Sequence, residues 1–246
     1  MLFRTTVTAL ATLLVLPLVT LADRYTYTID QSQSFLSVGG NLTGNFATAQ
    51  TNGSTSTSYT GTIQLDRTGN ILQFNAGSAL NAVNLGTKQQ PFTDGSPGSA
   101  FANYGRTADG PFFSTTLEAL RGFQLDLESD PFTINGTSFS SGSGNLALVV
   151  KSGSSDFSYG NTPGEFNFSG KGTANGAVTN STLTTASGVE TLTLYISTGS
   201  ILYTAASTND SSLTFGGQIV ATRAVPEPAL AGVVVGLLLL GARKRR

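Results

Sequence analysis

The chain has no cysteine, no histidine and no tryptophan, and its single methionine is Met1. Each absence removes a chemistry. Without cysteine there is no disulfide, so stability must come from a buried core, and a chain of 246 residues is long enough to build one. Without histidine or cysteine the protein cannot assemble a Ser-His-Asp triad, a Cys-His pair or the usual N/S zinc site. Charge is also scarce. Asp, Glu, Lys and Arg make up only 11% of the chain, and the formal net charge is −1. No enzymatic activity, cofactor or metal is implied by this composition.

What is present is glycine, serine, threonine and asparagine around short alternating apolar runs, with fifteen Phe and seven Tyr. Low charge alone would be compatible with disorder, but the aromatic and β-branched residues argue for a folded all-β domain. The two longest apolar runs sit near the ends. Arg4 precedes Val7 to Leu21, an uncharged stretch with a dense Leu/Val centre, and Thr20-Leu21-Ala22 places small residues at −3 and −1 of a cleavage site. This is the pattern of a secretory signal peptide over residues 1–22, cut after Ala22.

The other run, Ala229 to Ala242, contains only Ala, Gly, Val and Leu. As a helix it would cover about 21 Å, short for a bilayer core about 30 Å thick. Arg243, Lys244, Arg245 and Arg246 follow it and would stay on the cytoplasmic side. Pro226-Glu227-Pro228 precedes it; proline lacks an N–H and restricts its neighbour, so the segment is extended and exposed. Tripeptide, short apolar helix and basic terminus, in that order, resemble the PEP-CTERM sorting signal of Gram-negative and cyanobacterial surface proteins. The resemblance implies transit across the inner membrane and cleavage near Pro226, Glu227 and Pro228 by an exosortase-type processing enzyme. It covers residues 223–246 and implies nothing about residues 23–222 in front.

Between the ends, residues 23–222 hold seven Lys or Arg against thirteen Asp or Glu, a net charge of −6. Such a domain lacks the basic stripe that phosphate backbones require, which argues against nucleic acid as a partner. Alternation predicts strands over Tyr25 to Asp30, Ser34 to Val38, Asn41 to Phe46, Gly61 to Asp66, Ile71 to Phe74, Gly122 to Leu127, Asn145 to Lys151, Glu165 to Ser169, Val189 to Ser197, Ile201 to Ala205 and Ser212 to Thr222. Loops are expected over Ala47 to Ser58, Gln90 to Gly110 and Ser152 to Gly164. Phe112 to Arg121 suits a helix or a strand equally. Three hairpin turns are expected, at Gly69-Asn70, Asn135-Gly136 and Asn175-Gly176, the last two with loops as the alternative. The sum is twelve to fifteen short strands without βαβ alternation: one antiparallel β-barrel or β-sandwich, flanked by a signal peptide and a C-terminal apolar helix.

Tyr27-Thr28-Ile29-Asp30 with Gln31-Ser32-Gln33-Ser34 is similar to the first strand of YceI-like, lipocalin-shaped exported proteins. That likeness implies a barrel able to hold a long apolar ligand. Asp126, Glu128 and Asp130 alternate along one strand and would share a face, as a calcium site or, more simply, a solvated face. Asn-Xaa-Ser/Thr triplets begin at Asn41, Asn52, Asn135, Asn167, Asn180 and Asn209, a frequency that the Asn, Ser and Thr content explains. The functional expectation is an exported cell-surface or extracellular-matrix protein. A lipocalin-like binding module for an apolar small molecule or a glycan is the alternative, and exposed Tyr and Phe make extracellular polysaccharide a candidate partner.

Overall fold

The computed structural model describes residues 22–49, 53–86, 101–110, 115–141, 145–160, 162–205 and 210–225. Among these residues every regular element is a strand. In chain order they are β1 (Asp23–Ile29), β2 (Phe35–Gly39), β3 (Asn41–Leu42), β4 (Asn45–Phe46), β5 (Thr48–Ala49), β6 (Ser56–Thr68) and β7 (Ile71–Phe74). Next come β8 (Ala79–Ala82), β9 (Tyr104–Asp109), β10 (Thr115–Ser129), β11 (Phe132–Thr133), β12 (Ser138–Phe139) and β13 (Leu146–Tyr159). The last are β14 (Thr162–Asn167), β15 (Thr173–Val178), β16 (Ser181–Ala186), β17 (Val189–Thr198), β18 (Ile201–Tyr203) and β19 (Ser211–Ala224).

Strands β3 and β4 pair only with each other, and the remaining seventeen form one antiparallel sheet. Its pairings trace a partial ring. From β6 they pass through β8, β10, β13, β15 and β17 to β19, which pairs with β1 and β2, and both of these pair with β6. The period-two alternation decides which side chains enter the core: Tyr27 and Ile29 from β1, Ile63 and Leu65 from β6, Leu192, Leu194 and Ile196 from β17. An aromatic group fills part of this interior. Phe123 lies 5.4 Å from Phe168 and 6.0 Å from Phe215, and Phe168 lies 5.0 Å from Tyr203, all ring to ring. Each such side chain contributes about 1.5–3 kcal/mol through burial.

Of the two alternatives for Phe112 to Arg121, the strand holds for Thr115 to Arg121, which belongs to β10; Phe112 to Ser114 lies outside the described residues. Several other local expectations are corrected. Ser152 to Tyr159 continues β13 and Thr162 begins β14, where a loop was expected. That stretch hides its strand because Ser154, Ser155 and Asp156 are all buried polar residues, which erases apolar alternation. Tyr104 to Asp109 is β9, and the loop expected over Ala47 to Ser58 contains β5 and the start of β6.

The turns divide. At Gly69-Asn70 the hairpin forms, with Thr68 opposite Ile71 and Gly69 at φ +60°. Around Asn135-Gly136 a tight turn also forms, with Asn135 bridged to Ser138 and Gly136 at φ +66°. Its arms, however, pair elsewhere: β11 with β7 and β12 with β16. Asn175-Gly176 is no turn at all. Both residues lie inside β15, where Gly176 faces Leu146 on one side and Thr198 on the other. A Cβ there would approach Ser197 O to 2.3 Å, so this glycine serves close backbone packing.

Candidate functional site

The expected processing residues fall at the edge of the described fold. Ala22 is exposed immediately before β1. Pro226, Glu227, Pro228, Arg243, Lys244, Arg245 and Arg246 lie outside the described residues, as do residues 1–21 and the apolar run Ala229 to Ala242. Among the described residues no helix is long and apolar enough to cross a membrane. What the structure does define is the root from which both segments leave. Strands β1 and β19 are antiparallel with Thr28 opposite Thr222, so Asp23 and Ala224 emerge at the same end of the sheet. Val225, directly before Pro226, donates its N–H to Gly188 O at 2.8 Å.

A cluster of side chains clamps this root. Strand alternation turns Glu190 inward in register with Leu192 and Leu194, and pairs it across β17 and β19 with Arg223. The Glu190 carboxylate accepts from Arg223 Nε at 2.6 Å, from Arg67 Nη1 at 3.0 Å and from the Tyr27 hydroxyl at 2.6 Å. Arg223 also lies over the Tyr25 ring, 4.0 Å from its centroid. Burial, reinforced by the hydrogen bond to Glu190, raises the Tyr27 pKa well above the ordinary tyrosine range. For Arg223, burial lowers the pKa, but hydrogen bonds to Tyr27 and Glu190 outweigh it and keep the guanidinium charged. Four strands, β1, β6, β17 and β19, are thereby tied together two residues before Val225. The clamp thus secures the end of β19, next to the last described residue, Val225.

Two further ion pairs lie in the interior. Arg106 and Glu118 face each other across β9 and β10 at 2.6 Å, and Arg121 reaches Asp156 at 2.8 Å, with all four side chains fully buried. Arg106 also donates to the carbonyls of Gly39 (2.9 Å) and Ser212 (3.1 Å). Ser155 Oγ donates to Glu118 at 2.6 Å, and Tyr203 bridges Arg106 and Glu118 through its hydroxyl. Neither carboxylate side chain reaches solvent. In the sequence these arginines are only two of the seven Lys or Arg of residues 23–222, with nothing to mark them as paired. The one signal that could have found Arg106 and Glu118 is opposite charges on adjacent strands, and it is invisible while Tyr104 to Asp109 is read as loop.

The three alternating acids do not act as one face. Asp126 is buried and accepts from Gly77 N–H at 3.0 Å and Leu127 N–H at 2.9 Å, with Lys151 Nζ at 3.4 Å. Glu128 and Asp130 instead border a shallow cleft of about 250 Å³ with Asn145. Among the described residues no group of three or more Asp, Glu, His or Cys is placed to hold a metal. A second cleft, of about 350 Å³, opens where β10 and β13 slip register at Gly122 and Gly153, and Ser152, Ser154, Asn167 and Ser169 line it. Ser152 Oγ there already donates to Gly122 O at 2.8 Å, and Asn167 Oδ1 accepts from Ser169 N–H at 2.8 Å. Compared with known proteins, the chain matches no family model, no curated protein and no solved structure.

Proposed function

We propose that the protein is an exported cell-surface or extracellular-matrix protein, sorted and processed through Pro226, Glu227 and Pro228. The carrying observation is one of order along the chain. A clamp on Arg223 and a backbone hydrogen bond at Val225 are followed in sequence by the Pro-Glu-Pro segment, an apolar run and four cations. A folded strand end held by the clamp, followed in sequence by prolines that cannot continue a helix, gives a transpeptidase a substrate it can grip without unfolding the domain. In this reading the partners are an exosortase-type enzyme and, transiently, the inner membrane, and residues 1–22 direct export before removal. We further take the partial ring of pairings as a closed antiparallel barrel.

The test is to delete Pro226 to Arg246, leaving Val225 and the clamp in place, and to fractionate the cells. The reading expects the truncated protein to be missing from the surface and the medium. Delivery equal to that of the full chain would overturn it. The alternative of a barrel holding an apolar ligand receives less support, because Phe123, Phe168, Tyr203 and Phe215 occupy interior space that such a ligand would need.

A further inference from the structure

We infer that the outer face of β2, β17 and β19, with the adjoining parts of β1, β6 and β16, is a docking surface for a neutral polysaccharide chain. Pairing register builds it. Gln218 on β19 stands between Phe35 on β2 and Tyr195 on β17, each its direct cross-strand partner. Such partners share a face with side chains about 5 Å apart. The two rings are therefore about two strand spacings apart, roughly 9.5 Å. Phe35 is 47% and Tyr195 43% exposed, against a core in which most aromatics are fully buried. Gln218 Nε2 donates to Gln33 O at 3.2 Å, which fixes the amide between the rings.

Two residues along the same strands, Gly216 lies between Ser37 and Ser197. The missing side chain at Gly216 leaves a shelf with a hydroxyl on either side. Four residues along in the other direction, and so on the same face, is a file of five threonines. Thr184, Thr191, Thr222, Thr28 and Thr62 follow one another across β16, β17, β19, β1 and β6.

The face carries little charge, and that selects the occupant. From Thr173 to Thr222 only Glu190 and Asp210 are charged, and β2 has no charged residue. On the β1 and β6 side the charges are Asp30, beside Val220, and Arg24, paired with Asp66 at 2.9 Å. Glu190 points to the opposite side, into the clamp. An acidic polysaccharide, a phosphate backbone or an anionic membrane would meet only Arg24, already paired with Asp66, and would be opposed by Asp30. A neutral sugar chain meets what it needs: aromatic faces for the C–H faces of pyranose rings, and an amide and hydroxyls for their edges. The spacing of Phe35 and Tyr195 suits every second sugar along one extended chain. A twisted sheet suits a flexible chain better than a flat crystal surface.

The surface needs no assumption about export, so it can be tested on purified full-length chain in mild detergent. Native gels would contain hydroxyethyl cellulose, galactomannan or dextran, with alginate as the acidic comparison. The expected result is retardation by at least one neutral polymer and none by alginate. The Phe35→Ala/Tyr195→Ala double variant should lose at least tenfold in apparent affinity with unchanged circular dichroism. Gln218→Glu, which keeps both rings, should also weaken binding and reports on the face should the double variant fail to fold. No retardation by any neutral polymer, retardation by alginate alone, or binding that survives these substitutions would overturn the assignment. So would concentration-dependent self-association abolished by the same substitutions without any effect of polysaccharide.

Discussion

Glu190 is bound to partners that lie 163, 123 and 33 positions away along the chain, at Tyr27, Arg67 and Arg223. Such separations carry no local motif, and the sequence therefore reveals a strand over Val189 to Ser197 without revealing the clamp. Its inward direction was legible all the same, because Leu192, Leu194 and Ile196 define the buried side and Glu190 shares their parity. Replacing Glu190 with Ala leaves Tyr27 and Arg223 without their carboxylate, and a loss of about 2–4 kcal/mol in chemical denaturation is expected. A loss below about 0.5 kcal/mol would mean the cluster does not hold the strands. A pH dependence follows from the buried tyrosines. Burial raises the pKa of Tyr27, Tyr59, Tyr104 and Tyr203, and hydrogen bonding to a carboxylate reinforces this at Tyr27 and Tyr203. Unfolded tyrosine ionises near pH 10, so above that the unfolded chain releases protons that the folded chain retains. Stability should be unaffected by these groups below about pH 9 and fall as pH rises past about 10, by at most about 1.4 kcal/mol per pH unit for each tyrosine. A denaturation midpoint constant to pH 11 would contradict the burial of these hydroxyls.

Among elements, the two Asn-Gly pairs show what local sequence does and does not decide. Asn135-Gly136 sits at a tight turn with Gly136 at φ +66°, whereas Asn175-Gly176 is crossed by a ladder on both sides. The dipeptide permits the left-handed turn but does not compel it; neighbouring strands β13 and β17 claim the second pair. The substitutions should separate accordingly. Gly136→Ala meets open space and costs about 1 kcal/mol for its backbone conformation. Gly176→Ala drives a methyl group into Ser197 O and Thr198 Cα and should cost more, about 2–3 kcal/mol. Equal losses in urea denaturation would return Gly176 to a turn. Most strands were readable from alternation, with β1, β7, β17 and β19 close to their expected bounds. The second half of β13 was not, because Ser154, Ser155 and Asp156 are buried polar residues, and Ser155 and Asp156 meet Glu118 and Arg121 only in the folded sheet.

For the whole molecule, all-β architecture and antiparallel pairing were legible, whereas the order of strands around the partial ring was not. Neighbours such as β19 and β2 are brought together by long-range pairing and leave no trace in either segment alone. The ring places the start of β1 and the end of β19 side by side. A boundary drawn after Thr222 from alternation falls inside β19, which continues through Arg223 and Ala224. A chain ending at Val225 should therefore keep the melting temperature of the full chain. One ending at Thr222 loses Arg223 and the Val225 hydrogen bond and should melt several degrees lower. Equal melting of the two truncations would show that the clamp adds nothing to the fold. Processing at this root would be seen in the mass spectrum of the C-terminus of protein recovered from the cell surface or medium. A domain that retains Arg223 and Val225 and has been cut close to Pro226-Glu227-Pro228 is expected. An intact terminus at Arg246, or a cut before Arg223, would contradict it.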